Sequence, residues 1–210
     1  MAIREVRASG LEYLALATEL LQRARLADAE AGTWEAADLQ WWWRMPRRSD
    51  AIDQLFWVGE GWPVAGVLLT DWGRVWACDP VVIPGVSTVR LATVWARAVE
   101  AIDALGLEEV EVFARDDDAE LLGLLARAGF VAAEAGIGLL EPMRVEEAYQ
   151  RRGLARAMLA EGLDRLARRG ARRLKVGYGT DAARRLYVGA GFRVTSTARS
   201  YGWRRPDPTG

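Results

Sequence analysis

The stretch VEEAYQRRGLARAML, residues 145–159, sets Gln150, Arg151, Arg152 and Gly153 between a strand-like run and a helix-like run from Leu154 to Arg169. Met158, Leu159, Leu163 and Leu166 recur at helical spacing and define that helix's apolar, inward face. A glycine turn that closes a strand and opens a helix commits the chain to layered α/β architecture. It also makes an anion site. The first amides of a helix lack intrahelical partners and carry about +0.5 of an elementary charge, so a phosphate approaching Gly153 meets donors. Ala155 is too small to shield those amides, and Arg151, Arg152 and Arg156 add charge-assisted contacts. No GK[ST] follows the glycine and the turn is not GxGxxG, which disfavours nucleoside triphosphates and dinucleotides and leaves a pyrophosphate cradle.

Charge is distributed to match. Residues 1–140 hold 12 basic and 22 acidic residues, whereas residues 141–210 hold 16 and 7, so the C-terminal third is where an anionic ligand is expected. Histidine is absent and Cys78 is the only cysteine, which excludes a disulfide within the chain, a His-based triad and a Cys/His zinc site; no metal is expected. Proton transfers must then use Tyr, Asp, Glu, Lys, a terminus or water. No apolar run reaches 18 residues, and Arg4, Glu5, Arg7, Glu12 and Glu19 interrupt the first twenty, so neither a membrane span nor a secretory signal is expected and the cytoplasm is the default location.

The rest of the chain reads as punctuated α/β alternation. AIREVRA is a strand, Leu11 to Leu26 a helix with Leu14, Leu20, Leu21 and Leu26 on its apolar stripe, and EAADLQWWWRM a second helix. Residues 54–83 form a three-strand meander with turns at Gly59 to Pro63 and Asp71 to Gly73, followed by a helix from Leu91 to Leu105 ended by Gly106. Then come the strand EEVEVFA, the helix DAELLGLLARAGF and an extended VAAEAGIGLL. The order recurs in EPMRV, the Gly153 turn, the helix from Leu154, Gly170, RRLKVGY, DAARRLYVGAGF and RVTSTARSYGW. Gly106 matches Gly170 and ARAGF matches VGAGF, which reads as an internal duplication.

QRRGLA, Gln150 to Ala155, fits Q/R-x-x-G-x-G/A, and TDAARRLYVGAGF fits N-x-x-A-x-x-L-Y-x-x-x-G-F. With MRV before them and a helix and strand between, these resemble the GNAT superfamily of acyl-CoA-dependent N-acetyltransferases over residues 139–203. The resemblance implies a mixed, mostly antiparallel sheet flanked by helices, here duplicated: residues 1–135 as a degenerate GNAT-like domain and 136–210 as the CoA-binding half of a second unit. It implies acetyl-CoA as co-substrate and an amine, small molecule or protein N-terminus, as acceptor, attacking the thioester directly. Met143, Arg144 and Val145 would offer backbone groups to the pantetheine arm. Gln150, Arg151, Arg152, Gly153, Leu154, Ala155 and Arg156 would wrap the pyrophosphate. Tyr187 falls on the family's tyrosine, the general acid toward the departing thiolate, and Ala183 on its small residue beside the cofactor. Thr180 stands where the family usually has Asn, and its hydroxyl offers fewer hydrogen-bonding positions.

The first copy lacks these features: VVIPGVSTVR replaces the cradle and Leu125 stands where Tyr187 stands in the second. Only about 75 residues remain for the second copy, roughly half of a typical domain. It completes its sheet against the first domain, lacks a segment near AEAGIGLLEP, or belongs to a domain built from residues 1–70 and 139–210 around an inserted repeat. Two other classes stay open, an acyl-CoA-binding regulatory protein without turnover and a nucleic-acid binder; the acidic N-terminal two thirds disfavour the second. A homodimer is a compatible assembly. Glu141, Glu146 and Glu147 are the nearest carboxylates for a base, none preferred. WWWRM, Trp41 to Trp43, reads as aromatic core or interface ahead of an acceptor pocket.

Overall fold

Alternate residues of one meander face opposite cores. In the strand Gln54–Gly59, Leu55 and Trp57 pack on one side while Phe56 and Val58 pack on the other. The next strand, Trp62–Asp71, sends Ala65, Val67 and Leu69 to the first core and Leu68 to the second. A two-sided pattern of this kind needs helices on both faces. The computed structural model describes residues 3–28, 34–85, 88–132, 145–170, 174, 176–195 and 197–206.

Two compact units result, residues 1–134 with 196–210, and residues 135–195. In the first, β1 (Arg4–Ala8), α1 (Gly10–Ala27), α2 (Ala36–Trp42), β2 (Gln54–Gly59), β3 (Trp62–Asp71), β4 (Trp76–Val82), α3 (Leu91–Ala104), β5 (Glu109–Arg115), α4 (Ala119–Arg127), β6 (Val131–Ala132) and β7 (Ala198–Arg204) follow in order. The sheet runs β1-β2-β3-β4-β5-β7-β6. Every neighbouring pair is antiparallel except β4 and β5, which run parallel and pair only at Trp76↔Val110 and Ala77↔Glu111. Tyr13, Ala17 and Leu20 of α1 and Leu39 of α2 cover one face; Val94, Trp95 and Ala98 of α3 and Leu121, Leu124 and Leu125 of α4 cover the other. Gly66 fixes how close α1 comes, since a Cβ there would lie 2.9 Å from Phe56 and 3.0 Å from Leu20. The β2–β3 hairpin turns on Glu60 and Gly61, both at positive φ, the two-residue geometry that matches strand twist.

The last strand departs from the sequence-based boundary. Residues 196–210 were expected with the second copy, yet β7 pairs with β5 from Glu109↔Arg204 to Arg115↔Ala198 and also with β6. Within RVTSTARSYGW only Ala198–Arg204 is strand, and those residues complete the first unit's sheet. Leu26 also differs from expectation, at 87% exposed, because it falls in the last turn of α1, beyond the buried Ala24.

The second unit contains a 3₁₀ turn at Glu147–Tyr149, α5 (Leu154–Arg168) and α6 (Asp181–Gly189). Both helices start where the sequence places them. The inward face expected for α5 is only partly covered: Leu159 and Leu163 are half-buried, Met158 and Leu166 are exposed, and no residue of that helix is fully buried. The strand EPMRV lies outside the described residues except for Val145, and RRLKVGY is described only at 174 and 176–178, where the chain is not strand.

Candidate active site

The turn before α5 is built from local bonds. The Gln150 side-chain amide donates to the Val145 carbonyl at 3.1 Å, and the Tyr149 amide donates to the Glu146 carbonyl at 2.8 Å, so residues 145–150 close on themselves. The chain then passes through two left-handed residues, Arg151 at φ 62° and Gly153 at φ 80°. Glycine adopts that conformation freely, whereas arginine is strained there by about 1–2 kcal/mol. Left-handed residues alternating with others turn successive amides toward a common point, as in anion-binding nests. Gly153 is the N-cap of α5 and brings no side chain to its amides; no acidic residue lies in the first turn. A Cβ at Gly153 would meet nothing within 4 Å, so the space beside the backbone is open.

Gln150, Arg151, Arg152, Gly153, Leu154 and Arg156 are exposed and Ala155 is half-buried. The Arg152 guanidinium lies 5.7 Å from the centre of the Tyr149 ring. Uncapped amides, three exposed guanidinium groups and open space are what a pyrophosphate requires. Met143 and Arg144 lie outside the described residues, and Val145 is described as the acceptor of the Gln150 bond.

Thr180 caps α6, its hydroxyl accepting from the Ala183 amide at 3.2 Å. That bond uses one acceptor position of the hydroxyl and leaves its proton to donate. Ala183 is half-buried one turn further on. Tyr187 is 3% exposed, the one buried side chain among the described residues of this unit, with its ring edge-on to Phe192 at 5.8 Å. The Phe192 amide returns to the Tyr187 carbonyl at 3.1 Å, which closes the AGF turn beneath the ring. Of the candidate bases, Glu146 and Glu147 are exposed and Glu141 lies outside the described residues.

The junction expected to match it in the first unit differs. Gly85 is left-handed at φ 70°, but α3 starts at Leu91, behind Arg90 as its N-cap. Leu125 is completely buried in the core. The three consecutive tryptophans point in three directions: Trp42 packs between Trp34 at 5.2 Å and Trp72 at 5.0 Å, Trp43 lies 6.0 Å from Tyr13, and Trp41, half exposed, carries the Arg44 guanidinium at 3.5 Å.

One titratable group escaped the sequence reading. Asp79, on β4 just past the short β4–β5 pairing, is 8% exposed. Burial pushes its carboxyl up to about 7, with a hydrogen bond to the Trp34 side chain working the other way. Nearby Tyr13 is raised well above its ordinary value, first by burial and then by Asp79 and Asp50. The available signal was a lone acid inside the apolar run WACDPVV. Among the described residues, no group of three or more His, Cys, Asp or Glu side chains could hold a metal ion, and no helix is long and apolar enough to cross a membrane.

Residues 96–192 match the Acetyltransferase (GNAT) family. No curated protein sequence matches the chain. Among solved structures, a candidate acetyltransferase of Acinetobacter baylyi ADP1 shares 8% identity over 100% of this chain and 95% of its own, with a TM-score of 0.54. An IAA acetyltransferase from Bacillus cereus ATCC 14579 shares 11% identity over 97% of this chain and 100% of its own, at 0.50. A tandem GNAT protein from the clavulanic acid biosynthesis pathway shares 16% identity over 64% of this chain, at 0.46, and the match spans 46% of that protein. At 8% and 11% identity, the likeness to the Acinetobacter and Bacillus structures shows the fold alone.

Proposed function

We propose that this chain, which carries a GNAT acetyltransferase domain over residues 96–192, moves an acetyl group from acetyl-CoA to an amine, either a small molecule or a protein N-terminus. The observation that carries the reading is the turn at Arg151 and Gly153, which opens α5 with uncapped amides beside open space and three exposed arginines. The amides of residues 152–156 would hold the pyrophosphate, and Arg151, Arg152 and Arg156 would neutralise it. Val145 with Met143 and Arg144 would align the pantetheine arm, and Thr180 would donate its remaining proton toward it. Residues 135–195 act as the CoA-binding half of a second GNAT unit, and the first unit is a degenerate GNAT-like domain that binds no CoA. The reading requires no metal, places the protein in the cytoplasm and is compatible with a homodimer.

In the reaction the neutral amine attacks the thioester carbonyl carbon, the C–S bond breaks and the thiolate leaves. The Tyr187 hydroxyl gives its proton to that sulfur, and water or a base takes the proton from the amine. Tyr187→Phe keeps the ring and its edge contact with Phe192 while removing the proton. CoA affinity should be almost unchanged and thiol release over an amine panel should fall roughly 10²-fold, the scale of a lost general acid. One observation favours the alternative of a non-catalytic acyl-CoA-binding regulatory protein: Tyr187 is 3% exposed, and a proton donor must reach the sulfur. A wild-type chain that binds acetyl-CoA but acetylates no amine selects that reading; an active chain indifferent to Tyr187→Phe removes the residue from the mechanism.

A further inference from the structure

We propose that the first unit holds a binding site for a small zwitterion, an α-amino acid with an apolar side chain, in the cavity between α3 and the β1–β2 end of the sheet. The inference goes beyond acetyl transfer and stands without it. The cavity measures about 290 Å³, room for roughly ten non-hydrogen atoms at about 30 Å³ apiece, the share of one water in the liquid. Leucine or phenylalanine is of that size. Every residue lining the cavity belongs to residues 1–134, so its shape is a property of the first unit alone. Its floor is apolar: Leu55, Val67 and Leu69 come from β2 and β3, and Ala101, Ala104 and Leu105 close it from the C-terminal end of α3. Gln54 also reaches the cavity, at 2% exposed, but its amide is already used, donating to the Ser49 and Leu69 carbonyls and accepting from the Leu69 amide. The floor therefore favours a hydrocarbon body.

The charges around that floor select the head group. Arg97 donates to both oxygens of Glu5, at 2.6 and 3.2 Å, and to Glu100, so these three neutralise one another. Arg7 and Asp53 also line the cavity and are exposed, and among the described residues no ion pair or side-chain hydrogen bond engages either one. Strand register sets them side by side. Arg7 pairs with Leu55, and Asp53 precedes Leu55 by two residues, so both fall on the face of Leu55 in diagonal positions, with backbones roughly 7–8 Å apart. The cavity thus has one free cation and one free anion at the mouth of an apolar chamber. A monocarboxylate would leave Asp53 unanswered, and a simple amine would leave Arg7. An α-amino acid brings both groups on one carbon: a carboxylate that the guanidinium takes through paired N–H bonds, and an ammonium for Asp53, with its side chain directed to the floor.

The test is calorimetry on the full chain without CoA. L-Leucine or L-phenylalanine should bind with a Kd below about 1 mM. 4-Methylpentanoate, which lacks the ammonium, and 3-methylbutylamine, which lacks the carboxylate, should each bind at least tenfold more weakly than leucine, about the scale of one lost hydrogen bond to a charged group. Arg7→Gln should remove the advantage of leucine over the amine, and Asp53→Asn its advantage over the carboxylate. Both side chains are exposed, so neither change should disturb the fold; all ten tryptophans lie in residues 1–134 and 196–210, and unchanged tryptophan emission verifies that the first unit is intact. The analogue series on the unaltered chain decides the matter independently of the variants. A Kd above about 1 mM for both amino acids overturns the proposal. So do one-ended analogues that bind as tightly as leucine, which would reduce the site to an apolar groove, and leucine binding that both variants leave unchanged, which would place it elsewhere on the chain.

Discussion

Asp79→Asn should stabilise the first unit at alkaline pH and do little in acid. The wild-type carboxyl is pushed up to about 7 in the folded unit by burial, whereas the unfolded chain titrates near 4. A folded value raised above the unfolded one means that the folded state holds its proton more tightly. The associated stability is complete below about pH 4 and is lost as pH rises through about 7. Three pH units at 1.36 kcal/mol each make the loss about 4 kcal/mol, an upper limit because the site can relax or admit water. Asparagine is nearly isosteric, keeps an acceptor for Trp34 and never ionises. Tyr13 lies close to Asp79, and because burial raises its hydroxyl well above the ordinary value it stays neutral across this range. Urea unfolding followed by tryptophan emission reads the first unit alone, since every tryptophan belongs to it. Midpoints of wild type and variant should coincide near pH 4 and separate by pH 8, with the variant more stable by roughly 2–4 kcal/mol. Parallel profiles across that range would show that Asp79 does not ionise in a buried site.

Gly153→Val fills the open space beside the turn and forces a β-branched residue to positive φ; calorimetry should show CoA affinity reduced at least tenfold, and unchanged affinity would remove the cradle assignment. Thr180→Ala removes the N-cap of α6, so the second unit should lose about 1 kcal/mol, read as faster amide exchange through residues 183–187. Gln54→Leu strips the buried amide that donates to the Ser49 and Leu69 carbonyls and accepts from the Leu69 amide, and should cost the first unit about 3 kcal/mol in the same urea assay.

What the sequence revealed followed the range of the interactions involved. Helices α1, α3, α4, α5 and α6 were readable because apolar spacing and flanking glycines are local signals. The β2–β3 hairpin was readable because Gly61 supplies positive φ at a two-residue turn. The neighbours of β7 were left open for the opposite reason. Its partner β5 lies about 90 residues earlier, and nothing in ARSYGWR distinguishes a strand that closes a following sheet from one that completes an earlier one. How far the apolar face of α5 is covered was illegible in the same way: periodicity identifies which side of a helix is apolar without saying that Leu159 and Leu163 would be half-buried and Met158 and Leu166 exposed. Asp79 was missed because an acid on a strand is normally a solvated residue, and only the packing of Tyr13 and Trp34 around β4 makes it otherwise.

The turn before α5 shows why so short a motif can carry chemistry. Among the described residues only Glu60 and Arg151 combine positive φ with a side chain. Glu60 is accounted for by its hairpin, where both turn residues must be left-handed. Arg151 has no hairpin around it. Its strain is held in place by the Gln150 bond to the Val145 carbonyl and by the start of α5, both within a few residues. The same alternation of left-handed residues that costs the turn stability aims its amides outward, toward the open space beside Gly153. An anion cradle made this way would depend on backbone conformation and need little from the rest of the fold, which suits a unit with a single buried side chain among its described residues. Recognition of an acceptor amine is different in kind. It requires side chains from separate elements held around a cavity, and neither α5 nor α6 offers a second buried residue on which such a cavity could be built. On the proposed reading the chemistry kept locally would be the binding of the acyl donor, and the choice of acceptor would come from surfaces that α5 and α6 do not themselves provide.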